Sequence, residues 1–165
     1  MIARQRLETQ LGDVGIEATE TGLSHVRLPG SSVEPGPEGE GRSSDHALHA
    51  ASQLREYFAG ERAEFDLALD WSGVDAEHRR VLETLCETAP FGETITYGEL
   101  GRRSGVDDAR EIGVHMSRNP LPLVVPCHRV VAADGLGGYG GGLELKQRLL
   151  ELEGVLPPRL ELGLG

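Results

Sequence analysis

One run constrains this chain more than any other: Asn119 to Val131, NPLPLVVPCHRVV. Leu121 to Val125 is apolar and reads as a short buried segment. It ends at Pro126, which fixes the backbone, and the next two residues are Cys127 and His128. A thiol attacks as its thiolate, and a free cysteine with a pKa of about 8.5 is mostly protonated near neutrality. A neighbouring histidine can accept that proton, directly or through water, when a third group orients the ring. His128 is therefore the candidate base, and its orienter is expected to be a carboxylate from elsewhere in the chain. Two plainer readings compete. A lone intracellular cysteine commonly packs as a small hydrophobe. Zinc would want further thiolates, yet there is no Cys-x-x-Cys and no second cysteine nearby.

A length of 165 residues holds one medium domain or two small ones, and 38% apolar residues suffice for a core. Met1 to Arg6 has no secretory character, and no apolar run is long enough to span a bilayer. Cys86 and Cys127 sit in unrelated contexts, so reduced thiols and a cytoplasmic protein are expected. The net charge of −11 argues against nucleic acid, whose binding rests on Lys and Arg contacts to phosphate. What counts is the local surface. Residues 74–157 carry nine Lys and Arg against thirteen Asp and Glu, so most of the acidity lies in the N-terminal part.

The pattern along the chain predicts a sequence of short elements. Val14–Ala18 and Leu23–Leu28 alternate about Thr21-Gly22 as a β-hairpin, with His25 facing solvent. Pro29 to Ser44 is rich in Gly, Pro, Ser and Glu and is expected to be a mobile loop. A helix is predicted over 45–59, capped by Ser44 or Asp45, with Leu48, Ala51, Leu54 and Phe58 inward and His46 and His49 exposed. Phe65–Leu69 alternates as a strand. Asp75 to Thr88 reads as a helix burying Val81, Leu82 and Leu85, with Cys86 taken as packing. Thr96 caps a helix from Tyr97 to Ser104, Gly105 turns, and Asp107 caps a second helix to about Met116: a helix-turn-helix pattern. The glycine-dense stretch 134–142 lacks the Lys-Ser/Thr of a phosphate loop. A last helix is expected over 143–153, with Leu145, Leu149 and Leu152 inward, before a loosely ordered tail.

The pentapeptide Pro126-Cys127-His128-Arg129-Val130, with Asn119-Pro120 upstream, resembles the active-site signature of the O6-alkylguanine-DNA alkyltransferases. Phe91 to Leu100 (FGETITYGEL) is similar to the same family, and residues 7–69 match it weakly. The resemblance implies an α/β N-terminal domain over 1–73, a small ribonuclease-H-like antiparallel sheet with a helix. A mostly α domain with a helix-turn-helix follows over 74–157, then a tail over 158–165. It implies Cys127 as the alkyl acceptor and His128, held by Glu153, as base through a water. Tyr97 would protonate or hydrogen-bond the departing guanine, and Asn119 would brace the active-site turn. Arg110 would enter the DNA stack from a minor-groove helix. Val130 and Gly140 would read the base edge through their backbones, with Tyr139 lining the pocket. The implied partner is double-stranded DNA containing O6-alkylguanine, with O4-alkylthymine left open. No metal or cofactor is required, no membrane is involved, and a monomer is expected. Glu111, Val114 and His115 depart from the small residues of the family's DNA-binding helix, so a non-catalytic or weakened binder of alkylated bases is the alternative. A Cys-His hydrolase is a further one.

Overall fold

The computed structural model describes residues 2–31 and 36–158. Three antiparallel strands open the chain: β1 (Ala3–Thr9), β2 (Gly12–Ala18) and β3 (Leu23–Arg27), in the order β1-β2-β3. Only the β2–β3 hairpin announces itself in the sequence. β1 places Arg4 and Arg6 on its open face, where they pair with Glu17 and Asp13, while Ala3 and Leu7 are buried. His25 is exposed as expected. Gly22 lets the turn approach the following segment: a Cβ there would lie 2.5 Å from the Ala68 carbonyl oxygen.

Helix α1 (Gly41–Phe58) covers the sheet and begins four residues earlier than expected. The end of the preceding loop is pinned to β1 by the Arg4 N–H bonding the Pro37 carbonyl at 2.7 Å. The rest of that loop, 32–35, lies outside the described residues, as does 159–165 of the tail. The buried face of α1 is Ala47, Ala50, Ala51, Leu54 and Phe58, whereas Leu48 turns out to solvent. The small alanines bring the helix close to the strands. The expected strand at 65–69 does not form. It contributes one bridge, Leu69 to Leu23, because β3 spends its free edge twice: on Ala68 and Asp70 near Leu23, and on Pro120, whose carbonyl accepts from Val26 N at 2.9 Å.

The second half is helical. In α2 (Ala76–Thr88) Asp75 caps the first turn by accepting from His78 N, and Val81, Leu82 and Leu85 are buried. Strand β4 (Ile95–Thr96) pairs in parallel with β5 (Val130–Val131). Thr96 caps α3 (Tyr97–Ser104), and Gly105 ends it in the left-handed region at φ 79°. Helix α4 (Ala109–Ser117) follows, capped by Asp108 and not Asp107: the Asp108 carboxylate accepts from Arg110 N. Helix α5 (Leu143–Leu152) closes the domain. The two halves share one hydrophobic core. Among the described residues no helix is long and apolar enough to cross a membrane.

Candidate active site

The segment that delivers Cys127 is a tight turn held from both sides. Asn119 spans it: its Oδ1 accepts from Leu121 N and its Nδ2 donates to the Val125 carbonyl, both at 2.9 Å. Inside the turn Leu123 takes φ 77°, a left-handed conformation for a branched side chain. That conformation costs about 1–2 kcal/mol, offset by full burial of the leucine and by the Asn119 clamp. The chain then enters a 3-10 turn, Cys127–Arg129. The Cys127 N–H bonds the Val125 carbonyl at 2.8 Å, and Arg129 N–H bonds that of Pro126 at 2.9 Å.

Behind the cysteine lies a buried polar cluster built by α5. Lys146, Leu149, Leu150 and Glu153 fall at i, i+3, i+4 and i+7, one helical stripe, and all four are buried. The expected inward set differs: Leu149 is buried, but Leu145 and Leu152 are only partly so. Glu153 is no surface acid. Its carboxylate accepts from His128 Nε2 at 2.7 Å, from Arg129 Nε at 2.7 Å and Nη2 at 3.0 Å, and from Tyr57 Oη at 2.5 Å. Burial alone would raise its pKa, but the hydrogen bonds from His128 and Arg129 win and hold it down at about 2. Burial pushes His128 the other way, below the ordinary histidine value, against the pull of Glu153. The pair is therefore carboxylate plus neutral imidazole. An acceptor-only carboxylate fixes the tautomer, so His128 carries its proton on Nε2 and a lone pair on Nδ1. That Nδ1 is buried and has no hydrogen-bond partner among the described residues.

In front of the cysteine is a cavity of about 570 Å3 whose wall includes Tyr97, Arg110, Met116, Cys127, Tyr139 and Gly140. Burial raises the Cys127 thiol pKa; the Asn119 and Tyr139 side chains and the Lys146 charge oppose the rise. Tyr97 Oη donates to the Gly138 carbonyl at 3.3 Å, and its own pKa is raised by burial and by Cys127. Lys146 ties the glycine-rich loop down: its Nζ donates to the carbonyls of Val130 at 2.7 Å, Gly138 at 3.0 Å and Leu136. Burial lowers its pKa to about 8. Val130 lies under the cavity, not on its wall. Its N–H bonds the Cys127 carbonyl, its own carbonyl accepts from Lys146, and it pairs with Ile95 in the β4–β5 ladder.

The structure thus gathers Cys127, Tyr97, Tyr139, Gly140 and Arg110 around one cavity, with His128 and Glu153 behind it and Asn119 beneath. Sequence reasoning missed Tyr57, Arg129 and Lys146. A signal existed for Lys146: a cation at a core position of the α5 stripe.

Two family models match nearly the whole chain. The ribonuclease-like domain of 6-O-methylguanine DNA methyltransferase matches residues 2–71, and its DNA-binding domain matches residues 76–155. The chain belongs to this methyltransferase family. It is 40% identical over 155 residues to the methylated-DNA–protein-cysteine methyltransferase of Mycolicibacterium paratuberculosis, covering 93% of each chain. Against that of Methanopyrus kandleri it is 45% identical over 137 residues, 83% of this chain and 99% of the other. The crystal structure of Mycobacterium tuberculosis OGT in complex with DNA superposes with a TM-score of 0.78 at 36% identity, covering 92% of both chains.

Within this methyltransferase the divergent residues of α4 sort by face. Arg110, Glu111 and Val114 are exposed, so the bulk at Val114 crowds no packing. His115 turns toward α2 and meets His78, Nδ1 to Nδ1 at 2.8 Å, with the rings 20° from parallel. Cys86, expected to pack, lies exposed on α2.

Proposed function

We propose that this protein repairs DNA by direct reversal, moving the alkyl group of O6-alkylguanine in a duplex onto Cys127. The observation that carries the reading is the arrangement across Cys127. A cavity of about 570 Å3, roomy enough for a base, opens on one side, and on the other sits an imidazole whose Nε2 is locked to a buried carboxylate and whose Nδ1 is unpaired among the described residues. His128 takes the thiol proton at Nδ1 through a bridging water, and the Sγ–carbon bond forms as the carbon–O6 bond breaks. The departing guanine is neutralised by a proton, with Tyr97 Oη as the donor at the cavity wall. Asn119 keeps the turn, and therefore Sγ, in line.

Reaching the lesion requires the nucleotide to leave the stack, a step costing a few kcal/mol. Arg110, exposed at the cavity rim on α4, fills the gap from the minor groove. Tyr139 and Gly140, both on the cavity wall, close over the base. A thioether has no hydrolytic exit, so each molecule acts once, as a monomer in the cytoplasm.

Intact mass after incubation with a duplex bearing one O6-methylguanine tests this. One methylene, about 14 Da, is expected on Cys127, saturating at one equivalent. No gain with the lesion still bound would identify a non-catalytic binder. Repeated turnover would identify a hydrolase.

A further inference from the structure

The Glu153 carboxylate takes four hydrogen bonds, and three come from the domain that carries Cys127. The fourth comes from Tyr57, on α1 of the N-terminal domain and 96 residues away in sequence. That phenol is 1% exposed. Its ring is held edge-on or tilted against Phe58 at 5.2 Å, Phe65 at 5.6 Å and Phe91 at 6.3 Å. Two of these rings belong to the N-terminal half and one to the segment before β4, so the hydroxyl is aimed from a rigid aromatic seat. Burial first, then Glu153, raises the Tyr57 pKa well above the ordinary phenol value, while Glu153 is ionised. The proton stays on the phenol, and Tyr57 donates.

The atom it donates to is Oε2, the same oxygen that accepts from His128 Nε2. Arg129 Nη2 donates to the same oxygen at 3.0 Å, and three donors on one oxygen fix its position more tightly than two. They also share its charge, so each weakens the others' hold. We infer that Tyr57 is a positioning residue for alkyl transfer: the N-terminal domain reaches into the relay and sets how strongly, and at what angle, Glu153 holds His128. The inference rests on the proposed roles of Cys127 and His128.

The sign of its effect follows from the groups around the pair. His128 faces Glu153, Arg129, Lys146 and Cys127; Glu153 faces His128, Arg129, Tyr57 and Tyr139. Removing the Tyr57 hydroxyl removes a donor and no charge. The carboxylate then concentrates on His128, the imidazolium is favoured, and His128 protonates at higher pH. A protonated His128 cannot accept the thiol proton, so the acid limb of the transfer rate moves up.

The experiment is single-turnover methyl transfer from an O6-methylguanine duplex, followed from pH 5 to 8.5, in the full chain, in Tyr57→Phe and in Phe65→Leu. Tyr57→Phe keeps the ring and its packing. It should fold and reach the full mass gain, while its acid-limb midpoint rises by about half a unit. At pH values below both midpoints that shift is a fall of about threefold in rate. Phe65→Leu keeps the Tyr57 hydroxyl and the Phe58 and Phe91 contacts and should lower the melting temperature with a smaller shift of the limb. Superimposed profiles for Tyr57→Phe and the unaltered chain overturn the inference, as does an equal shift in Phe65→Leu. Loss of the folded state in Tyr57→Phe overturns it too, since the hydroxyl would then hold the fold and not the histidine. Absence of transfer by the unaltered chain is a different failure, that of the proposed reaction itself.

Discussion

The chain carries two thiols, and both are poor thiolates by environment. Cys86 lies on α2 at the wall of a groove of about 350 Å3 with Leu69, Pro90 and Phe91. The residue as a whole is exposed, yet desolvation at that apolar wall, with Glu83 and Glu87, pushes its thiol up to about 11 against the pull of Arg129. Cys127 is buried and also raised. What separates them is not resting acidity. Cys127 is adjacent to an imidazole with a free lone pair, with Lys146 and Asn119 opposing the burial; among the described residues Cys86 has two carboxylates and an arginine as its charged neighbours and no imidazole. A nucleophile is made by neighbours able to take its proton during reaction, and exposure alone does not supply them.

The two thiols should part most sharply under direct substitution. Cys127→Ser should show no mass gain with methylated duplex, while Cys86→Ser should reach full stoichiometry at the unaltered rate. A methyl group found on Cys86 by peptide mapping would mean that accessibility, and not the relay, selects the acceptor.

Removing the relay's charge is the next largest effect. Glu153→Gln leaves Arg129 buried without its carboxylate, a loss of about 3–5 kcal/mol in stability. It also unlocks the His128 tautomer, for a fall in transfer rate on the order of 100-fold. The same carboxylate gives a pH signature. Its folded pKa of about 2 lies below the unfolded value, so its stabilisation is complete above about pH 4.5 and is lost as pH falls through about 2, worth about 3 kcal/mol at 1.36 per unit. Acid unfolding monitored by circular dichroism should show a later, steeper transition in Cys86→Ser, whose Glu153 takes up a proton on unfolding, than in Glu153→Gln. Equal acid stability would detach the cluster from the fold.

How much of this was legible beforehand depended on whether a residue's partners were local. The cap at Thr96, the turn at Gly105 and the β2–β3 alternation are all decided within a few residues, and the structure keeps them. β1 was hidden because its open face carries arginines whose partners are on β2. The rotation of α5 was hidden for a related reason. Counting only leucines puts 145, 149 and 152 inside, but burying Lys146 and Glu153 becomes tolerable once distant groups satisfy them: the Val130, Leu136 and Gly138 carbonyls for one, Arg129, His128 and Tyr57 for the other. Tyr57 was the least legible, since nothing near it in sequence suggests a carboxylate 96 residues on. Cys127 and His128 were readable because they are adjacent; Arg110 came from the resemblance alone, and the cap of its helix was read one residue early, at Asp107 instead of Asp108.

The smallest expected effect asks which thiol DNA approaches. Arg110 at the cavity rim shares its surface with Asp107, Asp108 and Glu111, all exposed. Carboxylates in the first turn of α4 favour the helix through its dipole, by about 0.3–1 kcal/mol each, but they repel a phosphate drawn to Arg110. The two effects oppose each other. In Cys127→Ser protein, which cannot react, Glu111→Gln should therefore lower the melting temperature slightly and tighten binding of a methylated duplex about two- to threefold, the scale of a single exposed charge pair. The gain should shrink as salt rises from 50 to 300 mM and screening shortens below the separation of the charges. Glu87→Gln, beside Cys86 on the other thiol's helix, should leave that affinity unchanged. Equal tightening by both substitutions would mean that DNA responds only to the net charge of −11 and does not dock at α4, which would remove the reason for placing Arg110 in the duplex.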